Sequence, residues 1–213
     1  KKRVKNKTIQ YGFISTGNLN EKTAQFYGDH CLLTSNRNIM ADINKVFHYL
    51  ENPSTNIKVL DACNTLLVSP TGMRKKINQM IDKEIKNIKK GLPASITLKL
   101  NSLSDIKLVE KLYQAKSMGV KVDLIIRGIY CAKKILKKKE SEPHAISIVD
   151  EFLEHARVLI FHNGGNPNVF ISSADWMIRN LDHRLEVACP VNNIQLKNEL
   201  LHLLHAQLKD NVK

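Results

Sequence analysis

Two short segments of this sequence carry hydroxyl side chains beside small residues, and the two segments resemble each other. Residues 13–18 read FISTGN and residues 170–175 read FISSAD, an offset of 157 residues, the difference between positions 170 and 13. The same offset pairs Asp29 with Glu186. Serine and threonine hydroxyls and the backbone amides of small-residue turns are groups that hold phosphate oxygens. The repeat therefore predicts an internal duplication with a place for phosphate at each copy.

Three further side chains are candidates for the same chemistry. His155 lies two residues before Arg157 and ahead of a hairpin, where an imidazole suits contact with a phosphate donor or general acid catalysis. A histidine with purely structural hydrogen bonds is the alternative. Arg127 ends a predicted strand, where its planar guanidinium suits a bidentate grip on phosphate, but a surface ion pair is the more usual fate of an arginine. On its residue type alone, Tyr27 is a half-buried strand tyrosine.

The spacing of apolar residues indicates the elements that position these side chains. Helices are predicted where apolar residues recur every three or four positions, and strands where they alternate or run together between turn residues. The predicted helices are 36–50, 71–91, 105–118, 146–154 and 192–208. The predicted strands are 8–14, 66–70, 95–101, 120–126, 157–162 and 168–172. The succession of strand, helix and strand predicts an α/β fold with parallel strands. Residues 51–56 predict a linker before a domain boundary near Asp61.

The charge balance favours a polyanionic partner. The chain has 213 residues, with 33 Lys and Arg against 20 Asp and Glu, so its formal net charge is +13. Such an excess suits nucleic acid, polyphosphate, nucleotide or an anionic membrane surface, although it is also compatible with a merely soluble basic surface. Residues 133–139 hold five lysines in seven positions. A solvated loop and a polyanion clamp are both consistent with that segment.

Cysteine usage and the chain ends limit the class of protein further. The four cysteines are scattered, without a CxxC pair or histidines at zinc spacing, so free thiols in a reducing cytoplasm are expected. No signal peptide opens the chain, and no apolar run approaches the roughly 20 residues of a membrane helix. The sequence begins at Lys1 without methionine, within what reads as the middle of a hairpin. We therefore expect a fragment of a longer protein.

Ordered strings along nearly the whole chain resemble the polyphosphate kinase family. These strings are residues 15–24 with Tyr27 and Asp29, then 91–94, 99–103, 122–128, 152–157, 163–165, 172–177 and 179–182. The His-x-Arg pattern at 155–157 is also similar to the duplicated half-site of the phospholipase D superfamily, in which two pseudo-symmetric halves each place a histidine in one phosphate pocket. The resemblance implies a phospholipase D-like mixed sheet sandwiched by helices. Residues 1–60 would end a first catalytic domain, and residues 61–213 would form the second.

The resemblance also implies an activity and assigns residues to it. That activity is reversible transfer of the ATP γ-phosphoryl group to inorganic polyphosphate through a phosphohistidine, which would lie just before Lys1. Matching the motifs places nucleotide binding on Tyr27, Arg127 and His155, with His155 also catalytic. Phe13 stands where relatives commonly have a histidine, which puts any role of that secondary histidine in doubt.

Cofactors and partners follow from the same resemblance. Mg²⁺ is expected with ATP as substrate, and no metal site is expected from the residues of this chain. ATP, ADP and polyphosphate are the expected partners, and nucleic acid is not. A homo-oligomer, a cytoplasmic location and peripheral association with the inner membrane are implied for the full-length protein. The isolated chain is expected to bind ATP weakly and to be inactive, because its phosphorylated histidine would be missing.

Two other functions remain compatible with the residues. A phospholipase D-like phosphodiesterase or nuclease would use the His155-x-Arg157 half-site and the basic charge. A non-enzymatic polyanion-binding module would need the charge alone, and its binding would collapse at moderate salt.

Overall fold

A computed structural model describes residues 2–4, 7–52, 57–132 and 142–210. Its strands are β1 (Lys2–Val4), β2 (Lys7–Ile9), β3 (Gly12–Ser15), β4 (Tyr27–Gly28), β5 (Cys31–Thr34), β6 (Leu67–Ser69), β7 (Ser95–Leu100), β8 (Lys121–Ile126), β9 (His144–Ile146), β10 (Leu153–Glu154), β11 (Arg157–Phe161), β12 (Asn168–Ser172) and β13 (Glu186–Pro190). Its α-helices are α1 (Glu21–Ala24), α2 (Arg37–Glu51), α3 (Met73–Lys89), α4 (Ile106–Ser117) and α5 (Ile194–Leu208). A 3₁₀ helix covers Ile57–Ala62, and a π-helical turn covers Arg179–His183.

A seven-stranded mixed sheet forms the centre of the fold. Its strand order is β6-β13-β12-β11-β7-β8-β9. Strands β7, β8 and β9 are parallel, whereas every other neighbouring pair in this sheet is antiparallel. The antiparallel half arises because β11 and β12 are joined by a tight turn at Asn163–Gly165, and short connections give antiparallel neighbours.

Helices cover both faces of this sheet because its strands alternate their side chains between two apolar cores. On one face, Leu98, Leu124 and Leu159 pack in the core that includes residues of α3 and α4. On the other face, Val158 and Ile160 pack in the core that includes residues of α2 and α5. The predicted α/β fold class, a mixed sheet sandwiched by helices, is therefore confirmed.

Side-chain caps fix the starts of three of the long helices. Asn36 caps α2, Asp105 caps α4 and Asn193 caps α5, each by accepting hydrogen bonds from backbone N–H groups of the first turn. Such caps satisfy donors that otherwise lack a partner inside the helix. The predicted helices at 36–50, 71–91, 105–118 and 192–208 all exist, with small differences at their ends.

Two predictions of secondary structure need correction. The helix predicted at 146–154 does not form, because its ends belong to β9, paired with β8, and to β10, paired with β4. The strand predicted at 8–14 is divided between β2 and β3, which pair with different partners. The predicted parallel strands are β7, β8 and β9. The lysine-rich segment 133–139 lies outside the described residues.

Within the described residues, three two-stranded sheets lie outside the central sheet: β1 with β2, β3 with β5, and β4 with β10. The last of these joins the early part of the chain to residues that lead into β11, with Tyr27 paired to Leu153 and Gly28 paired to Glu154. Across the described ranges, no helix combines the length and the apolar character required to cross a bilayer.

Candidate functional site

One edge of the central sheet collects the candidate residues. The pairing of β11 with β12 places Arg157 opposite Ser172, and the pairing of β7 with β8 places Leu100 opposite Ile126. Residues that follow β7, β8 and β12 therefore lie near residues that precede β11. This arrangement brings the segment 101–102, Arg127, His155 and Asp175 to one edge.

His155 is held by a carboxylate from the early part of the chain. Its Nδ1 lies 2.9 Å from Oδ2 and 3.1 Å from Oδ1 of Asp29. The backbone N–H of His155 donates to the carbonyl of Gly28 at 3.1 Å, which fixes the residue beside β4. The ring of Tyr27 lies 4.7 Å from the His155 ring, centroid to centroid, at a tilt of 45°. The structure thus brings two predicted nucleotide residues into contact.

Asp29 stays ionised despite partial burial. Burial opposes its charge, but hydrogen bonds from His155 and Thr16, with the nearby positive charge of Arg157, outweigh burial and lower the pKa of the Asp29 carboxyl. Thr16 Oγ1 donates to Asp29 Oδ1 at 2.6 Å. An ionised Asp29 can hold Nδ1 of His155 as the protonated nitrogen. Nε2 is then the ring nitrogen that does not contact this carboxylate.

Arg157 lies beside His155 and forms hydrogen bonds to both copies of the repeat, at Thr16 and at Asp175. Its Nε and one terminal nitrogen donate to the two oxygens of Asp175, at 3.3 and 3.1 Å. Its other terminal nitrogen donates to the carbonyl of Thr16 at 3.0 Å and lies 3.1 Å from His155 Nε2. Arg157, the arginine of the His-x-Arg pattern, therefore places positive charge directly beside His155.

Arg127 reaches the same edge through Asn101. Its Nε donates to Asn101 Oδ1 at 2.7 Å, and Asn101 Nδ2 donates to the carbonyl of His155 at 3.1 Å. Asp175 Oδ1 accepts from the backbone N–H groups of Asn101 and Ser102 at 2.8 and 3.1 Å. One asparagine therefore connects Arg127 to His155. The sequence interpretation missed this role, although a polar residue at the end of a buried strand was the available signal.

The two copies of the predicted repeat make the same hydrogen bonds. In the first copy, Thr16 Oγ1 donates to Asp29 and accepts from the His30 N–H at 3.0 Å. In the second, Ser173 Oγ donates to Glu186 and accepts from the Val187 N–H at 3.1 Å. The backbone bonds match as well, at 3.0 Å in both copies, from the N–H of the hydroxyl residue to the carbonyl 14 positions later. The two copies therefore form the same turn, and Glu186 occupies the position of Asp29.

A surface cavity opens beside the first copy of the repeat. It has a volume of about 360 Å³ and is lined by side chains that include Asn18, Asn20, Thr23, Tyr27 and Asp29. Because Tyr27 and Asp29 line this cavity and also contact His155, a ligand bound in the cavity would be separated from the imidazole by these two side chains. Within the described ranges, no cluster of three or more His, Cys, Asp or Glu side chains is arranged to hold a metal ion.

Gly17 allows the close approach of Asp29 to the first turn. A Cβ atom at this position would overlap the Asp29 carboxylate. We expect Gly17→Ala to displace Asp29 from His155, and therefore to shift and broaden the imidazole resonances of His155. Gly72→Ala is the matched control, since its Cβ would meet only the Val68 carbonyl at 3.8 Å. Nuclear magnetic resonance of both variants measures the difference, and His155 resonances that are unchanged in Gly17→Ala would contradict the prediction.

The fold and the residues at this edge of the sheet define a class of α/β protein. Two similar turns each pair a hydroxyl with a carboxylate, and the carboxylate of the first turn binds a histidine that precedes the second turn. The sequence models of the polyphosphate kinase C-terminal domains 1 and 2 match residues 1–56 and 66–213. The chain therefore belongs to the polyphosphate kinase family, as the sequence strings predicted.

Individual relatives agree with this assignment. The chain is 46% identical over 205 residues to the polyphosphate kinase of Vibrio cholerae, and 45% identical over 205 residues to that of Escherichia coli K12. Each alignment covers 96% of this chain and 29% of the relative. The crystal structure of polyphosphate kinase from Porphyromonas gingivalis superposes with a TM-score of 0.89 at 39% identity, covering 100% of this chain and 32% of that one. The chain thus spans about 30% of the length of these relatives.

Proposed function

We propose that this chain forms part of a polyphosphate kinase, an enzyme that reversibly transfers the γ-phosphoryl group of ATP to inorganic polyphosphate. The observation that carries the proposal is the contact between Asp29 and His155 across the duplication, at 2.9 Å, beside a guanidinium and an open cavity. Membership of the family supports the same activity.

The proposed reaction proceeds in two displacements. In the first, the bond between the β–γ bridging oxygen and the γ-phosphorus of ATP breaks, a histidine nitrogen–phosphorus bond forms, and ADP leaves. In the second, a terminal oxygen of polyphosphate attacks the phosphorus, the nitrogen–phosphorus bond breaks, and the polyphosphate is one unit longer. We assign the phosphorylated histidine to a residue outside positions 1–213, and not to His155.

The residues of this chain would bind and orient the nucleotide. Arg157 lies 3.1 Å from His155 Nε2, so a phosphate oxygen beside that nitrogen would meet positive charge from the guanidinium. With Nδ1 held by Asp29, Nε2 is the nitrogen that would contact the leaving phosphate, and it would donate to the phosphate when the ring carries both protons. Arg127, anchored through its Nε, is placed to grip phosphate with its terminal nitrogens. Tyr27 would pack against the nucleotide from the cavity side.

Glu186 is assigned a role by its equivalence with Asp29. Asp29 comes from one copy of the repeat and orients a histidine that precedes the other copy. By the same relation, Glu186 would orient the histidine that precedes the first copy, which is the proposed phosphorylated residue. Each half would then supply a carboxylate to the histidine of the other half.

Mg²⁺ would accompany ATP by neutralising its β and γ phosphates. The described residues offer no carboxylate cluster to hold the ion. We propose that the nucleotide phosphates and residues outside positions 1–213 hold the ion. ATP as donor is consistent with a cytoplasmic location. The homo-oligomer and the peripheral membrane association of the full-length protein stay predictions.

Calorimetric titration with ATP and Mg²⁺ tests the site. We expect saturable binding that persists at moderate salt and is weakened about 10- to 100-fold by Arg127→Ala and by His155→Ala, because each removes a charge-assisted contact with phosphate. Lys107→Ala, an exposed lysine on α4, is the control and should bind as the unmodified chain does. Unchanged binding by both site variants would contradict the residue assignments. Binding that disappears at moderate salt and ignores both variants would favour a simple polyanion-binding module.

A further inference from the structure

A nearly fully buried lysine lies behind the candidate site. The side chain of Lys99, on β7, is only 3% exposed, and its ammonium pairs with the carboxylate of Glu154. Lys99 Nζ also donates to Gln207 Oε1 at 3.1 Å, and Gln207 Nε2 donates to Glu154 Oε2 at 3.1 Å. These three side chains form a closed cycle in which every member contacts the other two. Lysine is rarely buried this deeply without a specific partner.

The cycle joins three elements that are distant in sequence. Lys99 lies in the central sheet, where it pairs with Val158 of β11. Gln207 lies in the last turn of α5. Glu154 lies in β10, which pairs with β4 rather than with the central sheet. The cycle is therefore a side-chain link from β10 to both the sheet and the terminal helix.

Glu154 directly precedes His155, so the link acts next to the site. Asn101, two residues after Lys99, holds the carbonyl of His155 at 3.1 Å. Side chains at positions i and i+2 of a strand point to the same face. Lys99 and Asn101 therefore hold two consecutive residues, Glu154 and His155, from the same side. On its other side, β10 binds β4, which carries Tyr27 and leads into Asp29.

We propose that Lys99, Glu154 and Gln207 are positioning residues for His155, and that through them helix α5 controls the geometry between His155 and Asp29. The importance of that geometry for catalysis rests on the proposed function, whereas the geometry itself does not. A buried ion pair contributes little net stability compared with well-packed apolar residues of similar volume. We therefore expect this ion pair to act in placing the short strand β10 rather than in adding net stability.

The double variant Lys99→Met/Glu154→Met separates placement from stability. We expect its urea unfolding midpoint to stay close to that of the unmodified chain, because both charges are removed together. We expect the imidazole nitrogen and proton resonances of His155 to shift and broaden, and ATP affinity to fall about 10-fold, as the contact with Asp29 loosens. Lys111→Met/Asp82→Met, which removes an ion pair between α3 and α4, is the matched control and should leave the His155 resonances unchanged.

Nuclear magnetic resonance distinguishes failure of this proposal from failure of the proposed function. If ATP does not bind the chain at all, the His155 resonances still report whether the link sets the contact with Asp29. Gln207→Leu keeps both charges paired and removes only the contact from α5, so it serves if the double variant does not fold. We expect it to shift the same resonances and weaken ATP binding about 3-fold. His155 resonances identical to those of the unmodified chain in either folded variant would overturn the proposal.

Discussion

Replacing Asp175 with alanine is expected to lower the free energy of unfolding by about 3–5 kcal/mol, the usual cost of breaking a buried ion pair by removing one partner. The Asp175 and Arg157 side chains are only 10% and 11% exposed. The substitution would leave the Arg157 guanidinium buried without its carboxylate. It would also leave the backbone N–H groups of Asn101 and Ser102 without their acceptor. Urea denaturation of the chain, with the slope compared between variants, measures the loss.

Two controls identify the cause of this loss. Asp82→Ala removes an ion pair with Lys111 in which the aspartate is 49% exposed, so we expect a cost of about 0–1 kcal/mol. Asp175→Asn keeps an acceptor for the two N–H groups and removes only the charge, so its cost should fall between the other two. A loss for Asp175→Ala no larger than that of Asp82→Ala would show that the ion pair beneath His155 contributes little to stability.

Local patterns predicted the helices because those helices bury one face. The apolar spacing of α3 follows Met73, Ile77, Ile81 and Ile85, and all four side chains are buried. The repeat was visible because the two copies keep the same residue types at the positions that make the turn bonds. The family strings predicted that Tyr27, Arg127 and His155 share one site, and the structure places Arg127 and His155 at one edge of the central sheet, with Tyr27 against the His155 ring.

Long-range pairing explains what the sequence did not predict. The region 146–154 has helical spacing, yet Leu153 pairs with Tyr27, a residue 126 positions away. No local pattern identifies such a partner, and tertiary pairing overrides propensity. The same limit applies to Lys99, which stands as an ordinary polar position in an alternating strand. Only the arrival of Glu154 and Gln207 from distant elements shows that it is buried and paired.

Asp29→Asn and Glu186→Gln are expected to lower turnover of a full-length polyphosphate kinase that contains this chain by about 100-fold each, with smaller effects on KM for ATP. General acid–base and orienting groups of this kind contribute about 10²- to 10⁴-fold. Asp29→Asn removes the charge that holds Nδ1 of His155, and Glu186→Gln removes the charge that we propose holds the histidine of the opposite half. Both substitutions keep the volume of the side chain. Steady-state rates of polyphosphate synthesis at varied ATP concentration separate the two parameters.

Similar losses in both variants are the result that the duplication requires. Asp29 and Glu186 accept from equivalent hydroxyls, Thr16 and Ser173, and follow them by the same number of residues. If each carboxylate orients a histidine of the opposite half, removing either charge disables one half of a shared phosphate site. Asp82→Asn, on the exposed side of α3, should leave turnover unchanged. A loss confined to Asp29→Asn would limit Glu186 to supporting its own turn, and the site would then depend on one oriented histidine rather than two.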